Sequence, residues 1–225
     1  MSNHTLGNRP FWHHEHHPES RLPVSLVVMT VIVLQLSLPR SLSSPYLWII
    51  CVVEAALLVA INVLDPRHIR AHEGSLRWVG IALIGTMTLA NVYSISRLIY
   101  QLVDGNVKDA TSLLLTGGSI WLTNVVVFAL WYWEFDRGGP AARSIAKRQH
   151  PDFMFPQMSD PELAAPHWAP RFLDYCYMSL TNSSAFSPTD VLPLTRWAKA
   201  TMALQSTTSL LVVALVIARA VNILH

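Results

Sequence analysis

The stretch from Arg171 to Leu224 constrains this chain more than any other. It reads as a short amphipathic helix (FLDYCYMSLTN), a polar hairpin (SSAFSPTDVLP) and one long apolar helix (TRWAKATMALQSTTSLLVVALVIARAVNIL). A segment that dips partway into a bilayer and returns through a Ser/Pro/Thr/Asp turn carries backbone groups that lipid cannot satisfy. Such a turn must be shielded by protein or face water. That is the shape of a pore loop, and the apolar runs upstream would surround and support it.

Composition places those runs in a bilayer. Hydrophobic residues make up 52% of the chain and charged residues 13%, against about 25% charged in an ordinary soluble domain, and the mean hydropathy is +0.34. Cys51 lies inside an apolar run and Cys176 on the short helix, with no CxxC, so both read as packing residues. The formal charge of +2 comes without a basic stripe interleaved with aromatics, which argues against nucleic acid as a partner. The tail 1–21 is polar, and no small-residue cleavage site follows the first apolar run. That run is expected to stay as a span.

The spacing predicts an all-α membrane protein of five transmembrane helices, with a re-entrant, pore-loop-like hairpin before the last. The polar, His-rich tail 1–21 precedes a three-helix scaffold over 22–109, with spans at Leu22–Leu38, Tyr46–Leu64 and Leu76–Val103. The first is near the minimum for a hydrocarbon core of roughly 30 Å; the third is long enough to tilt. Tyr46 and Trp48 suit the headgroup level. Residues 110–225 form a pore-like module: an outer helix 110–133 ending in WYW, a soluble loop 134–170, a pore helix and hairpin 171–193, and an inner helix 195–224. Gly117 and Gly118 mark a face where another helix backbone approaches closely.

Several side chains stand out chemically. The run His13, His14, Glu15, His16, His17 offers imidazoles to a divalent transition metal, but lacks defined ligand spacing on ordered elements. It reads as a solvated tail with an interfacial Phe11–Trp12 pair, and no metal or cofactor is expected. Glu54 in span two and Arg97 in span three are ionisable groups at membrane depth, each a functional candidate by default. They would neutralise each other, or Arg97 would snorkel to an interface. Gln205, Ser206, Thr207 and Thr208 interrupt the last helix. They would line a cavity below the hairpin, Gln205 and Thr208 foremost, or make interhelical hydrogen bonds worth about 0.6 kcal/mol each. Arg219 and Asn222 would face headgroups. No phosphate loop, Ser/His/Asp pattern or HExxH occurs, so an enzyme is not expected.

The final stretch resembles the potassium-channel pore module, in which an outer helix, a pore helix, a filter of TVGYGD type and an inner helix follow in order. Asp190 and Pro193 match that pattern, and Thr181 to Ser184 continue the hydroxyl-rich end of a pore helix. The chain is also similar to an uncharacterised bacterial family of integral membrane proteins whose last hairpin has this pattern without glycines. Filters replace an ion's hydration shell with backbone carbonyls, and glycine supplies the positive φ at alternate positions. Here Ser187 and Thr189 fill the glycine positions and Pro188 the aromatic one. Positive φ is an outlier for Thr, and Pro188 pushes Ser187 toward extended backbone. Coordination would then come from side chains: Ser183, Ser184, Ser187, Thr189 and a ring of Asp190, with Phe186 beside them. Ser-Pro-Thr-Asp also suits an ordinary helix start.

The resemblance implies a symmetric homo-oligomer, a tetramer foremost, in a bacterial inner membrane, weakly selective for monovalent cations if it conducts. A non-conducting scaffold or partner subunit and a small-solute transporter using Glu54 and Arg97 are the alternatives. Most of the sixteen Lys and Arg share one side with the N-terminal tail and the segment 134–171, which the positive-inside rule places in the cytoplasm. The potassium-channel orientation demands the reverse.

Overall fold

A computed structural model of the chain describes residues 15, 19–39, 47–64, 74–105, 109–148, 150–160, 162, 164–165, 167–184 and 190–224. The long elements are α1 (Leu22–Leu36), α2 (Leu47–Leu64), α3 (Gly74–Val103), α4 (Ala110–Phe135), α7 (Phe172–Ser184) and α8 (Arg196–Leu224). Between α4 and α7 lie a 3-10 turn (Asp136–Gly138), the short helices α5 (Pro140–Ser144) and α6 (Pro156–Ser159), and strand β1 (Phe153–Met154). Strand β1 pairs antiparallel with β2 (Leu192–Pro193), Phe153 opposite Pro193 and Met154 opposite Leu192. Apart from that two-residue pairing, the described fold is helical.

Among the described residues three helices are long and apolar enough to cross a membrane: Leu76–Val103, Ala110–Gly138 and Arg196–Ile223. The helices at Leu22–Leu36 and Trp48–Leu64 are equally apolar but shorter; at 1.5 Å per residue α1 reaches only about 22 Å. Its sides separate cleanly. Val28, Val31, Ile32 and Gln35 turn inward, while Leu22, Leu26, Met29, Val33 and Leu36 are exposed. A helix with apolar residues on its outer face as well has no stable home in water.

α1, α2, α3 and α4 pack in ring order, each against its two neighbours, and α4 alone among them also packs broadly on both α7 and α8. Its membrane-length window is 61% buried, against 39% for α3 and 28% for α8, which makes α4 the post of the bundle. Asp109 starts it, its carboxylate accepting the N–H groups of Thr111 and Ser112 at 3.3 and 2.9 Å, an N-cap that satisfies two otherwise unpaired donors. At this end Leu98, Leu113, Ile120, Val212, Val216 and Ala220 form a core of their own. Arg219 turns from headgroups to donate to the Gly105 carbonyl at 2.7 Å, bracing the link between α3 and α4.

At the opposite end the segment 134–170 folds back as a cap, with Phe153, Asp136, Arg137 and Arg143 buried. Tyr132 and Trp133, at the WYW end of the outer helix, are buried too, because Phe153 meets the Tyr132 ring at 5.1 Å and Phe172 meets Trp133 at 5.7 Å.

Of the Gly-Gly pair, Gly117 is the contact. A Cβ there would stand 2.7 and 2.9 Å from the two methyls of Val216, whereas one at Gly118 would meet nothing within 4 Å. Alanine gains about 1 kcal/mol over glycine inside a helix, so the two sites should diverge. Gly118→Ala is expected to hold or raise the unfolding midpoint in detergent, and Gly117→Ala to lower it. Val216→Ala should then cost less in the Gly117→Ala background than in the wild type, which circular-dichroism melts of the four proteins would measure.

Candidate functional site

Helix α7 does not lie flat on the bundle; its polar end is held inside. Two carboxylates fix its start. Asp174 accepts the N–H of Arg171 at 2.7 Å, as the third residue of a capping box does. Position 171 has no capping oxygen, and the job falls to Glu19 from the amino-terminal tail: one oxygen accepts the Phe172 N–H at 2.6 Å and the other the Trp133 indole N–H at 2.8 Å. The far end of α7 carries Ser179, Asn182 and Ser183. Ser179 donates to the Val125 carbonyl of α4 at 2.6 Å, and Ser206 of α8 is within 3.0 Å of Asn182 Oδ1. Val125 lies about ten residues from the end of α4 and Gln205 about nine from the start of α8, so α7 reaches ~14 Å along both at 1.5 Å per residue.

Gln205 is the hub of this contact and is fully buried. Its Oε1 accepts the Tyr132 hydroxyl at 2.6 Å and the Asn182 Nδ2 at 2.8 Å. Its Nε2 reaches the Ser179 hydroxyl and the Ser183 hydroxyl, both at 2.6 Å, and the Ser179 carbonyl at 3.0 Å. One carboxamide therefore fastens α8 to α4 and α7. A second chain runs beside it: Asn91 of α3 donates to Asn124 of α4 at 3.0 Å, which donates to Ser209 of α8 at 3.1 Å. Polar groups shut away from water are expensive unless paired, and paired networks impose one arrangement on the helices that carry them.

A second knot ties the cap to α7 and α8. Asp136 accepts the Tyr175 hydroxyl at 2.6 Å and the Asp152 N–H at 2.8 Å. Asp152 answers by accepting the Arg137 N–H and the Trp197 indole N–H, each at 2.8 Å, and its carbonyl accepts the Leu194 N–H at 2.8 Å. Arg143 donates to the carbonyls of Trp133 and Asp136 at 2.6 and 3.0 Å while its guanidinium lies 5.0 Å from the Tyr175 ring. The turn needs three successive positive φ values, at Arg137, Gly138 and Gly139. Arg137 tolerates the left-handed region because Asp152 and the Arg148 carbonyl hold it, the latter at 2.9 Å from Nε. The chain entering α8 is thus pinned at Leu194 and Trp197.

The residues singled out in the sequence divide accordingly. Ser183 is in the Gln205 network. Ser184 is exposed and returns its hydroxyl to the Leu180 carbonyl at 2.7 Å, and Asp190 is exposed. Phe186, Ser187 and Thr189 lie outside the described residues, as do His13, His14, His16 and His17. Gln205 faces α4 and α7 within one chain, the interhelical alternative, while Thr208 is half-buried on α8. Glu54 is fully buried, but its partner is Gln35 of α1, whose Nε2 donates to it at 3.3 Å, and no ion pair joins it to Arg97 among the described residues. Cys51 completes that group with its thiol 3.4 Å from Gln35. No group of three or more potential metal ligands occurs among the described residues.

Glu19, Asp136, Arg143, Asp152 and Trp197 do not stand out in the sequence as members of a site. Charged residues beside GGP at the end of an apolar run were the available signal.

Comparison with family models, with curated proteins and with solved structures finds no match. The site therefore speaks through its own geometry. Gln205→Met keeps the volume and removes five contacts, so it is expected to lower the unfolding midpoint in detergent by more than Thr208→Val. A double-mutant cycle with Tyr132→Phe should show coupling of about 0.6 to 1.7 kcal/mol. At the cap, a Cβ on Gly139 would stand 2.8 Å from the Glu134 carbonyl, in a backbone conformation (φ 97°, ψ 172°) open essentially to glycine alone. Gly139→Ala should open the cap to limited proteolysis at rates well above wild type.

Proposed function

We propose that this chain is a channel-like membrane protein in which α1, α2, α3, α4 and α8 cross the bilayer and α7 with residues 185–193 forms a re-entrant hairpin. The observation that carries this is the depth of the polar end of α7. Asn182 and Ser183 are held ~14 Å along α8 by Gln205 and Ser206, and a helix that stops there with hydroxyls at its tip delivers the following turn to the interior of a membrane. Backbone in that position needs protein or water as its partner. The resemblance to the potassium-channel module assigns the same roles: α4 outer helix, α7 pore helix, α8 inner helix. A single hairpin encloses nothing, so copies meet around an axis as a homo-oligomer, a tetramer foremost, in a bacterial inner membrane. The sparse cover on α8 supports that, since most of its surface is left to lipid or a second copy.

In such an assembly the hydroxyls of Ser184, Ser187 and Thr189 and the exposed carboxylate of Asp190 face a water-filled vestibule. Without filter glycines the backbone offers no carbonyl ladder, so selectivity among monovalent cations is weak. One observation favours a second reading, a non-conducting scaffold of the same architecture: Gln205 and Ser183 are satisfied within one chain and leave little for a permeation path. Purified protein in liposomes separates the two. Cation flux that Ser187→Trp abolishes, and whose preference for cations over anions Asp190→Asn reduces severalfold, is the expected outcome for a pore. Silent liposomes from protein that cross-links as a regular oligomer would establish the scaffold instead.

A further inference from the structure

The ring of α1 to α4 does not close at its centre on the end that carries Glu134. A cavity of about 90 Å³ remains there, several times the ~10–15 Å³ that one water occupies on this measure. Val24 and Val28 of α1 face Leu83 and Ile84 of α3 across it. Ser25, also on its wall, gives its hydroxyl to Asn62 at 3.1 Å. Among the described lining residues the charged ones stand on the rim, Arg21, Arg77 and Glu134 at the ends of three helices. Arg77 spends only its Nε on the Glu134 carboxylate, at 3.0 Å, while its side chain stays 43% exposed. Gly80 lines the same opening, and a Cβ added to it would meet nothing within 4 Å. A mid-helix glycine costs about 1 kcal/mol against alanine, and no atom of the described residues requires it.

We propose that this cavity binds an anionic phospholipid from the surrounding bilayer, with the headgroup phosphate on the outward nitrogens of Arg77 and a stretch of one acyl chain passing Gly80 into the apolar interior of the ring. A free anion would leave the apolar shaft empty. A zwitterionic lipid would bring its own cation beside the Arg77 guanidinium, and guanidinium matches phosphate in planar, two-pronged geometry. The site rests on the chain residing in a bilayer, as the function proposed above does, and is independent of whether a pore exists.

The test uses the full chain purified in mild detergent. Native mass spectrometry counts phospholipid that survives delipidation, and melts are run with added phosphatidylglycerol, phosphatidylcholine or inorganic phosphate. One phosphatidylglycerol retained per chain is expected, with a rise in midpoint larger than phosphatidylcholine produces and none from phosphate. Gly80→Leu fills the opening and should lose both the lipid and the rise, with a lipid-free midpoint equal to or above wild type. Arg77→Met should lose the preference for phosphatidylglycerol while Arg77→Lys keeps it. Lipid retention undiminished in Gly80→Leu, equal stabilisation by the two lipids, or a full rise from inorganic phosphate alone would each overturn the proposal. Flux in liposomes is a separate readout, so a silent protein that retains phosphatidylglycerol counts against the pore alone.

Discussion

A carboxamide cut off from water has to find its partners in protein, and where Gln205 finds them decides the rest of this molecule. Its donors and acceptors are met by Tyr132 of α4 and by Ser179, Asn182 and Ser183 of α7. If α7 slid outward along α8 by one turn, about 5.4 Å, the hydroxyls would leave the carboxamide and no apolar neighbour could replace them. The depth of α7 is therefore set by polar matching, while apolar packing, which changes little with sliding, supplies the grip. Helices in lipid lack the hydrophobic drive that sorts helices in water, and a few placed polar contacts take over the sorting.

The cap works on the same element from outside. Across the turn after α4 the Asp136 carboxylate accepts the Asp152 N–H and the Asp152 carboxylate accepts the Arg137 N–H, and each spends its other oxygen on a distant ring, Tyr175 on α7 and Trp197 on α8. Both ends of the 185–189 segment are consequently anchored to α4: one through Gln205 and Ser179, the other through Asp152, Leu194 and Trp197. The left-handed run Arg137, Gly138, Gly139 reverses the chain tightly enough for that exchange. Strain of this sort persists only where its surroundings hold it in place.

How far the sequence could be read follows from the range of each interaction. Helices α1, α2, α3, α4 and α8 were legible within one to three residues at most boundaries, because continuous apolar runs ending at charges or proline write their limits locally. The close approach at Gly117 was legible for the same reason, though which of the two glycines made it was not. The folding of 134–170 into a cap is not legible in the sequence, because its order comes from Asp136, Arg143 and Phe153 meeting partners that local patterning does not reveal. Glu54 and Arg97 looked like a pair on charge alone; Gln35, an uncharged neighbour on α1, turned out to be what Glu54 bonds. Gln205 was noticed as polar, but its side of the helix could not be told from a helix whose apolar residues lie all round.

Glu19, three residues before α1, is tied to the start of α7 across 153 positions. Synthesis proceeds from the amino end, so this carboxylate waits through four long helices before the backbone amide it serves has been made. Until then Glu19 has only the Trp133 indole, and that too arrives late. The stretch leading into α1 is thus finished by one made four helices later, and a change that removes the Glu19 carboxylate becomes a disturbance at the start of α7.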